Sequence, residues 1–428
     1  MNPRIWLGAY RAATRLATPL SGPLLRYRLD RGKEDAFRLE ERRGVAGQPR
    51  PPGPLVWLHG ASVGEALSLL PLVERLTQGG RAALMTTGTV TSARLLGERL
   101  PPGALHQFAP LDTPGYMRRF FAHWRPDLGL IAESELWPNM IVEAKRVGAP
   151  LAMVNARMSQ RSFERWAYAP GLIRALLSQI DLCLAQSEGD AARLAKLGAR
   201  AAPVIGNLKY DAPAPPVDLT ELAALGGLTS GRQIWIAAST HEGEEQIAAE
   251  AHRRLTEVFP DALTLIAPRH PDRGEAILTQ LQGLGFACAL RSRGERPSRE
   301  TAIYICDTMG ELGLFYRLAG IVLVGKSLAG TGGQNPIEPA KLASAILHGP
   351  HVANFADVYA LLDGGGGAVV TRDADELAAT LRALFADTGR LRAMARAAAN
   401  AVERQAGASD RAMAALQPHL GSLAASPT

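Results

Sequence analysis

The sequence has 428 residues, of which 47% are hydrophobic and 21% are charged, and its formal net charge is +6. This length exceeds one ordinary hydrophobic core and favours two domains of roughly 200 residues, while the composition argues against disorder. The positive charge favours an anionic partner without distinguishing nucleic acid, a membrane surface or a phosphorylated small molecule. Cys183, Cys288 and Cys306 lie in apolar runs, which predicts buried thiols rather than a disulfide framework or a metal site.

Residues 1–35 are predicted to form a membrane-associating segment. Aromatic residues such as Trp6 and Tyr10 are interleaved with arginines, and Arg11 and Arg15 interrupt the run of about 20 apolar residues that a spanning helix needs. The segment also lacks the unbroken apolar region of a secretory signal. A helix at the membrane interface fits this pattern, because these residue types settle at headgroup depth. A helix packed on the protein's own surface is the alternative.

From residue 54 onward, short apolar runs alternate with helical patterns, which is typical of parallel strands covered on both faces. The predicted strands cover 55–59, 82–86, 127–132, 150–154, 182–186, 203–205, 233–238, 262–267, 302–306, 320–324 and 345–348. The predicted helices cover 66–78, 90–99, 114–123 and 187–197, begin near 242, 273, 310, 336 and 374, and include one alanine- and arginine-rich segment over 388–417.

The predicted fold class is therefore α/β, with two doubly wound, Rossmann-like domains over residues 36–211 and 212–390. The proline-dense stretch 211–219, DAPAPPVDL, is the predicted linker. Such domains bind ligands outside the carboxyl ends of their strands, so two of them facing each other would form an interdomain cleft.

Four similar tetrads follow predicted strands and open predicted helices. Ser62 and Glu65 match a capping box, in which both side chains satisfy free amides of the first helical turn. The other three tetrads end at Glu242, Glu311 and Glu338. Capping explains each glutamate singly, but helix N-termini at this edge of a sheet also suit anions. Glu65 is thus either a cap or a carboxylate aimed at a substrate.

Two further segments favour an anionic ligand. In GKSLAGTGGQN, residues 325–335, the glycines at 330, 332 and 333 would let backbone amides approach a phosphate, and Pro336 stands at the predicted first helical position. A glycine-rich turn before a capped helix is the alternative. Arg269 follows another strand, where its guanidinium suits a phosphate or carboxylate. No ligand cluster accompanies His270, which argues against a metal.

Glu133 and Glu135 stand at the end of a further strand, beside Trp137. In an open turn they would be ordinary solvated acids. Close together in a cleft, they would raise each other's pKa and bind hydroxyls or an amine. Lys209, just before the linker, is either a surface charge or, in a cleft, a cation that neutralises a developing anion.

Seven motifs occur in the order ASVGEA, AESELWPN, GNLKYD, ASTHEGEE, APRHPDR, MGEL and GGQNPIEPA. Together they resemble the bacterial 3-deoxy-D-manno-octulosonic acid (Kdo) transferases of lipopolysaccharide biosynthesis. The motifs span residues 61–340, and RGKED (31–35) and NFAD (354–357) extend the likeness to most of the chain.

The resemblance implies a metal-independent, inverting GT-B glycosyltransferase with no cofactor, whose C-terminal helices, 391–428, partly pack back on the first domain. It implies CMP-Kdo as the donor, a lipid A precursor (lipid IVA) as the acceptor, and a peripheral or monotopic location at the cytoplasmic face of the inner membrane. The rivals are a transferase or epimerase that uses a UDP-sugar and a basic membrane- or nucleic-acid-binding protein. The chain lacks the interleaved aromatics and basic stripe that nucleic acid requires.

Carried over by position, Glu65 matches the family's catalytic base, Glu133 or Glu135 its transition-state carboxylate, and Lys209 its cationic stabiliser. Ser134 departs mildly from the usual Glu-Thr-Glu pattern. Gly64 removes bulk beside Glu65, as an approaching sugar would require. The segments that match CMP binding are Pro268 and Arg269; Met309, Gly310 and Glu311; and Asn335, Pro336, Ile337 and Glu338. Ser239, Thr240, His241, Gly332 and Gly333 are candidates for a phosphate or donor loop.

Within those segments, the resemblance assigns the phosphate to Arg269 and to the helix N-terminus at residue 336. It assigns the ribose or base to Glu311 and Glu338.

Overall fold

A computed structural model describes residues 3–200 and 202–421. The chain divides into two compact units. Unit 1 comprises the residues up to Ala212 together with those from Ala406 onward, and unit 2 comprises Pro213–Gln405.

Unit 1 is built on six parallel strands in the order β3-β2-β1-β4-β5-β6. The strands are β1 (Leu55–His59), β2 (Ala82–Thr87), β3 (Ala104–Phe108), β4 (Leu128–Ala132), β5 (Leu151–Ala156) and β6 (Leu182–Ala185). The helices are α1 (Pro3–Leu16), α2 (Ser21–Asp30), α3 (Val63–Gln78), α4 (Val90–Arg99), α5 (Pro114–Trp124), α6 (Pro138–Arg146), α7 (Gln160–Trp166), α8 (Pro170–Leu177) and α9 (Glu188–Leu197). Strands β1, β4 and β5 are buried along their whole length, as continuous apolar runs between two helical layers require.

Unit 2 repeats this architecture with seven parallel strands in the order β13-β12-β11-β7-β8-β10-β9. The strands are β7 (Ile234–Thr240), β8 (Leu263–Pro268), β9 (Cys288–Leu290), β10 (Ile303–Ile305), β11 (Ile321–Val324), β12 (Ala345–His348) and β13 (Ala368–Val370). The helices are α10 (Leu219–Leu228), α11 (Glu244–Thr256), α12 (Gly274–Gly283), α13 (Leu312–Ala319), α14 (Ile337–Lys341), α15 (Ala356–Gly364), α16 (Ala374–Ala386) and α17 (Thr388–Glu403). The prediction of two doubly wound α/β domains is confirmed.

The segment predicted to be helical over 388–417 forms two helices rather than one continuous helix. The chain leaves the helical conformation after Glu403, and Gly407 adopts a left-handed backbone with φ of 90°. A second helix, α18 (Ala408–Gly421), then follows in unit 1, whereas α17 belongs to unit 2. Asp211 anchors the start of α18, because its carboxylate accepts hydrogen bonds from the amides of Gly407 (2.7 Å) and Ser409.

Some short strands were missed or misplaced by the prediction. The edge strand β3 mixes His106 and Gln107 with apolar residues, and β9 and β13 have only three residues each, so their apolar runs are too short to signal a strand. The strand predicted at 203–205 is reduced to one isolated bridge between Val204 and Ala185.

The N-terminal segment forms α1 and α2, and α1 packs on the surface of unit 1. Tyr10 donates a hydrogen bond to Asp112 (3.0 Å), and Arg11 pairs with the buried Glu143 (2.5 Å). On the outer side, Ile5, Trp6, Leu16, Leu20, Leu24 and Tyr27 are exposed. Within the described part of the chain, no helix has the length and apolar character needed to cross a bilayer.

Helix α18 completes a hydrophobic core of unit 1, with Ala412, Leu416 and Leu420 fully buried beside residues of α3. We expect Leu416→Ala to lower the free energy of unfolding of unit 1 by about 2–5 kcal/mol, because the change leaves a cavity in a packed core. Denaturant titration with a probe in unit 1 measures the effect. Gln417→Ala, at an exposed position of the same helix, is the matched control and should change stability by less than about 0.5 kcal/mol.

Candidate active site

The acidic residues predicted from the sequence meet at one edge of the unit 1 sheet. Strands β1 and β4 are neighbours at the centre of this sheet, where the strand order reverses. Glu65 lies in the first turn of α3, just after β1, and Glu133 and Glu135 directly follow β4. In doubly wound folds this topological switch point, outside the carboxyl ends of the strands, is where ligands bind.

Glu65 forms the capping box that the sequence predicts. Its Oε2 accepts a hydrogen bond from the amide of Ala61 (2.7 Å), its Oε1 accepts one from the Ser62 hydroxyl (2.9 Å), and its own amide donates to Ser62 Oγ (3.3 Å). Gly64 has an ordinary backbone conformation, and a Cβ added there would meet nothing within 4 Å. The fold therefore does not require glycine at position 64, beside Glu65.

Lys209 and Glu133 form an ion pair, with 2.6 Å between Lys209 Nζ and Glu133 Oε1. Their side chains are only 17% and 15% exposed, so the pair is far less screened than a surface salt bridge. Glu133 has a positive φ of 49°, which costs energy for a residue with a side chain and is typical of functional sites.

Glu135 completes the carboxylate cluster. Burial raises the pKa of Glu135 above its usual range, the negative charges of Glu65 and Glu133 raise it further, and a hydrogen bond from Trp137 Nε1 (2.6 Å) opposes the increase only in part. The electrostatic coupling of Glu135 to both other glutamates is the behaviour predicted for acids held close together.

His59 is a site residue to which the sequence analysis gave no role. Its Nε2 lies 3.9 Å from Glu135 Oε2, and burial lowers the pKa of His59 to about 4, so the imidazole is neutral at physiological pH. Its Nδ1 lies 3.0 Å from Thr86 Oγ1. The only sequence signal is a histidine as the last residue of a buried strand.

Asn155 was also missed. This fully buried residue near the end of β5 accepts a hydrogen bond from the amide of Leu208 through its Oδ1 (2.9 Å). It thereby fixes the short 3₁₀ turn Leu208–Tyr210 that carries Lys209. The sequence signal that could have identified Asn155 is a polar residue inside the apolar run of β5.

In unit 2, the segments matched to CMP binding and the candidate phosphate or donor-loop residues follow four neighbouring strands. Ser239, Thr240 and His241 lie at the end of β7, Pro268 and Arg269 at the end of β8, Met309, Gly310 and Glu311 after β10, and the glycine-rich loop with residues 335–338 after β11. Arg269 is exposed, and its guanidinium enters none of the ion pairs found among the described residues. Met309 is 55% exposed.

Glu311 and the start of α14 differ from simple caps. Glu311 precedes α13 and accepts hydrogen bonds from Arg291 Nη2 (2.6 Å) and Nε (3.1 Å), and from Thr308. Burial raises the pKa of Glu311, but these hydrogen bonds outweigh burial, and the pKa lies below the usual range.

Helix α14 has only five residues and begins at Ile337, whose amide donates a hydrogen bond to Asn335 Oδ1 (3.1 Å). Pro336 is thus its N-cap and not, as predicted, its first helical residue.

The tetrad ending at Glu242 does not cap a helix. Helix α11 begins two residues later, at Glu244, and Glu242 is exposed. Of the four similar tetrads, only Ser62–Glu65 forms the complete reciprocal box.

Two glycine amides of the glycine-rich loop already donate hydrogen bonds to backbone carbonyls. The amide of Gly332 donates to the carbonyl of His351 (3.2 Å), and that of Gly333 donates to the carbonyl of Lys326 (2.8 Å). Gly332 has a φ of 118°, and a Cβ there would lie 2.4 Å from Asn354 Nδ2. In this conformation these two glycines serve close packing, and their amides are not directed at a phosphate.

Across residues 3–200 and 202–421, no group of three or more histidine, cysteine, aspartate or glutamate side chains is arranged to hold a metal ion.

Comparison with known proteins agrees with this architecture. The family profile described as 3-deoxy-D-manno-octulosonic-acid transferase (kdotransferase) matches residues 37–212. A 3-deoxy-D-manno-octulosonic acid transferase of Bordetella pertussis is 36% identical over 98% of this chain and 97% of its own. A probable mitochondrial 3-deoxy-D-manno-octulosonic acid transferase of Arabidopsis thaliana is 37% identical over 86% of this chain and 85% of its own.

Among solved structures, a glycosyltransferase from Rickettsia africae has a TM-score of 0.60 at 12% identity and covers 86% of this chain and 99% of its own. A putative UDP-N-acetylglucosamine 2-epimerase from Listeria monocytogenes has a TM-score of 0.61 at 16% identity, covering 86% and 97%. With its two Rossmann-like units, the chain has the GT-B fold of glycosyltransferases. On sequence it belongs to the Kdo transferase family.

The raised pKa of Glu135 predicts a pH-dependent stability. A carboxyl whose pKa is higher in the folded state stabilises that state below its unfolded pKa, near 4.5, and this contribution is lost as the pH rises through the folded value. Glu135→Gln keeps an acceptor for Trp137 and removes the charge. We expect its free energy of unfolding to exceed that of the wild type at about pH 8 and to lose this advantage below about pH 4.

Denaturant titrations across this pH range measure the effect, with the exposed Glu98→Gln as control. A stability difference for Glu135→Gln that stays constant with pH would contradict the prediction.

Proposed function

We propose that this glycosyltransferase moves Kdo from CMP-Kdo to a lipid A precursor, lipid IVA, in lipopolysaccharide biosynthesis. Membership of the Kdo transferase family supports the donor sugar. The observation that carries the mechanism is the cluster of Glu65, Glu133, Glu135 and Lys209 at the switch point of the unit 1 sheet. Unit 1 provides the acceptor site and the base, and unit 2 binds the nucleotide.

Glu65 acts as the general base. It takes the proton from an acceptor hydroxyl as that oxygen forms a bond to the anomeric carbon of Kdo, while the bond from this carbon to the phosphate oxygen breaks and CMP leaves with the electron pair. Attack on the face opposite the leaving group inverts the anomeric configuration. Ala61 and Ser62 hold the carboxylate of Glu65, so the base is oriented before the acceptor arrives.

Lys209 and the two other glutamates act on the charge that develops in the transition state. The ammonium group of Lys209, held by Glu133, stabilises negative charge. One of Glu133 and Glu135 stabilises the positive charge on the sugar ring. No metal is required, because CMP-Kdo carries one bridging phosphate rather than a pyrophosphate.

In unit 2, Arg269 binds the phosphate of CMP-Kdo. Support comes from its exposed position at the end of β8 and from its guanidinium, which suits phosphate. Asn335, Glu338 and the Met309–Glu311 segment bind the ribose and base. Glu311 is already bound by Arg291, so it contributes through the Arg291 pair rather than as an isolated carboxylate.

The protein acts at the cytoplasmic face of the inner membrane, and the exposed apolar residues of α1 and α2 support this location. Trp6 and Tyr27 are 39% and 53% exposed, and Arg15 lies exposed among them. This combination suits the headgroup region of a bilayer.

The role of Glu65 is tested by Glu65→Gln. Glutamine at this position also completes a capping box, so the melting temperature should stay nearly unchanged. Loss of the base should lower kcat by about 10²–10⁴-fold, measured as Kdo-lipid formation by mass spectrometry. Glu74→Gln, at an exposed position of the same helix, is the matched control and should leave both the melting temperature and kcat unchanged. Near wild-type turnover by Glu65→Gln would show that Glu65 caps the helix and does not act as the base.

The nucleotide is tested separately from catalysis. We expect CMP to raise the melting temperature of the protein and UDP to have little effect at the same concentration, since ligand binding stabilises the folded state by mass action. Arg269→Met should abolish most of the CMP effect. Selective stabilisation by UDP would favour a UDP-sugar enzyme and count against CMP-Kdo.

A further inference from the structure

Glu244, the first residue of α11, is a buried carboxylate that the proposed mechanism does not use. It is 1% exposed. Its Oε1 accepts hydrogen bonds from the amides of Ser327 (2.8 Å) and Leu328 (2.9 Å). Its Oε2 accepts hydrogen bonds from the amides of Lys326 (2.6 Å) and His241 (2.9 Å).

Three of these donors are consecutive residues at the start of the glycine-rich loop. Successive amides that point into one concavity form an anion-binding nest, of the kind that holds phosphate in other proteins. Lys326 has a positive φ of 58°, which turns its amide into the concavity. The protein thus fills this nest with a carboxylate of its own.

The remainder of the loop depends on the same geometry. The carbonyl of Lys326 accepts a hydrogen bond from the amide of Gly333, and the amide of Gln334 donates to the carbonyl of Gly325 (3.0 Å). The loop therefore closes on itself, with Ala329 and Thr331 exposed at its tip. Asn335 and Glu338 follow immediately, so their position depends on how the loop is closed.

We propose that Glu244 is a positioning residue for the nucleotide sugar: it is a built-in anion that holds the 326–334 loop, and with it residues 335–338, in the donor-binding shape. This inference rests on the proposed function only for the identity of the donor. The role of Glu244 differs from helix capping. Three of its partners lie 82 to 84 residues away along the chain, and only the fourth lies beside its own turn.

Glu244→Ala and Glu244→Gln test this role. The alanine variant leaves four amides without an acceptor, and the glutamine variant turns an NH₂ group toward two of them. We expect the KM for CMP-Kdo to rise about tenfold or more, the size of one or more lost charged hydrogen bonds. The KM for the lipid acceptor should stay unchanged. Glu242→Ala, at the exposed glutamate two residues earlier, is the matched control.

Chemical rescue with formate separates positioning from a general loss of stability. Formate should raise the melting temperature of Glu244→Ala and lower its KM for CMP-Kdo toward the wild-type value, because the small carboxylate can enter the emptied nest. It should do neither in Glu242→Ala or the wild type. A wild-type donor KM in Glu244→Gln, or a formate effect equal in both alanine variants, would overturn the inference.

The formate-dependent melting temperature and the affinity for CMP need no transfer reaction. A wild-type protein that transfers no Kdo would therefore refute the proposed function while leaving the anion nest to be judged by these two measurements.

Discussion

The ion pair between Lys209 and Glu133 connects the carboxylate cluster to a turn that is itself bound to α18, about 200 residues later in the chain. Lys209 sits in a turn that Asn155 holds through the amide of Leu208, and Asp211, just beyond that turn, binds the amides at the start of α18. Docking of α18 thus stabilises the turn that presents the lysine. The return of the polypeptide from unit 2 to unit 1 therefore supports the segment that carries Lys209.

The three carboxylates gathered at one edge of the unit 1 sheet have different surroundings, which supports the different roles proposed for them. Glu133 is neutralised by Lys209. Among the described residues, Glu135 forms no ion pair with a lysine or arginine, and burial and the two other acids raise its pKa. Glu65 is held by an amide and a hydroxyl at the open end of α3. Environments that separate the behaviour of neighbouring acids are what allow one of them to act as a base while another stabilises charge.

Much of the fold could be predicted from the sequence, because buried parallel strands are continuous apolar runs; β1, β4 and β8 begin and end within a residue of the prediction. The switch-point location of Glu65, Glu133 and Glu135 also follows from such runs. The half-exposed edge strand β3 lacks this signal. The position of the break between α17 and α18 was not predicted, since alanine and arginine on both sides of Gly407 favour helix equally. The role of Glu244 could not be predicted from the sequence, because its partners in the loop lie more than 80 residues away along the chain.

The two units differ in the groups that they present at the carboxyl edge of their parallel sheet. Four of the six non-glycine residues with positive φ in the described chain (Glu133, Asn155, Ser239 and Lys326) lie at or just beyond strand ends on these edges, so backbone strain concentrates there in both units. In unit 1 these positions present the carboxylate of Glu133 and the neutral amide of Asn155, which binds the amide of Leu208. In unit 2 the backbone amide of Lys326, with those of the next two residues, binds the buried carboxylate of Glu244. A nest that already holds one carboxylate repels a second anion, which supports the proposal that a cationic side chain, Arg269, binds the phosphate.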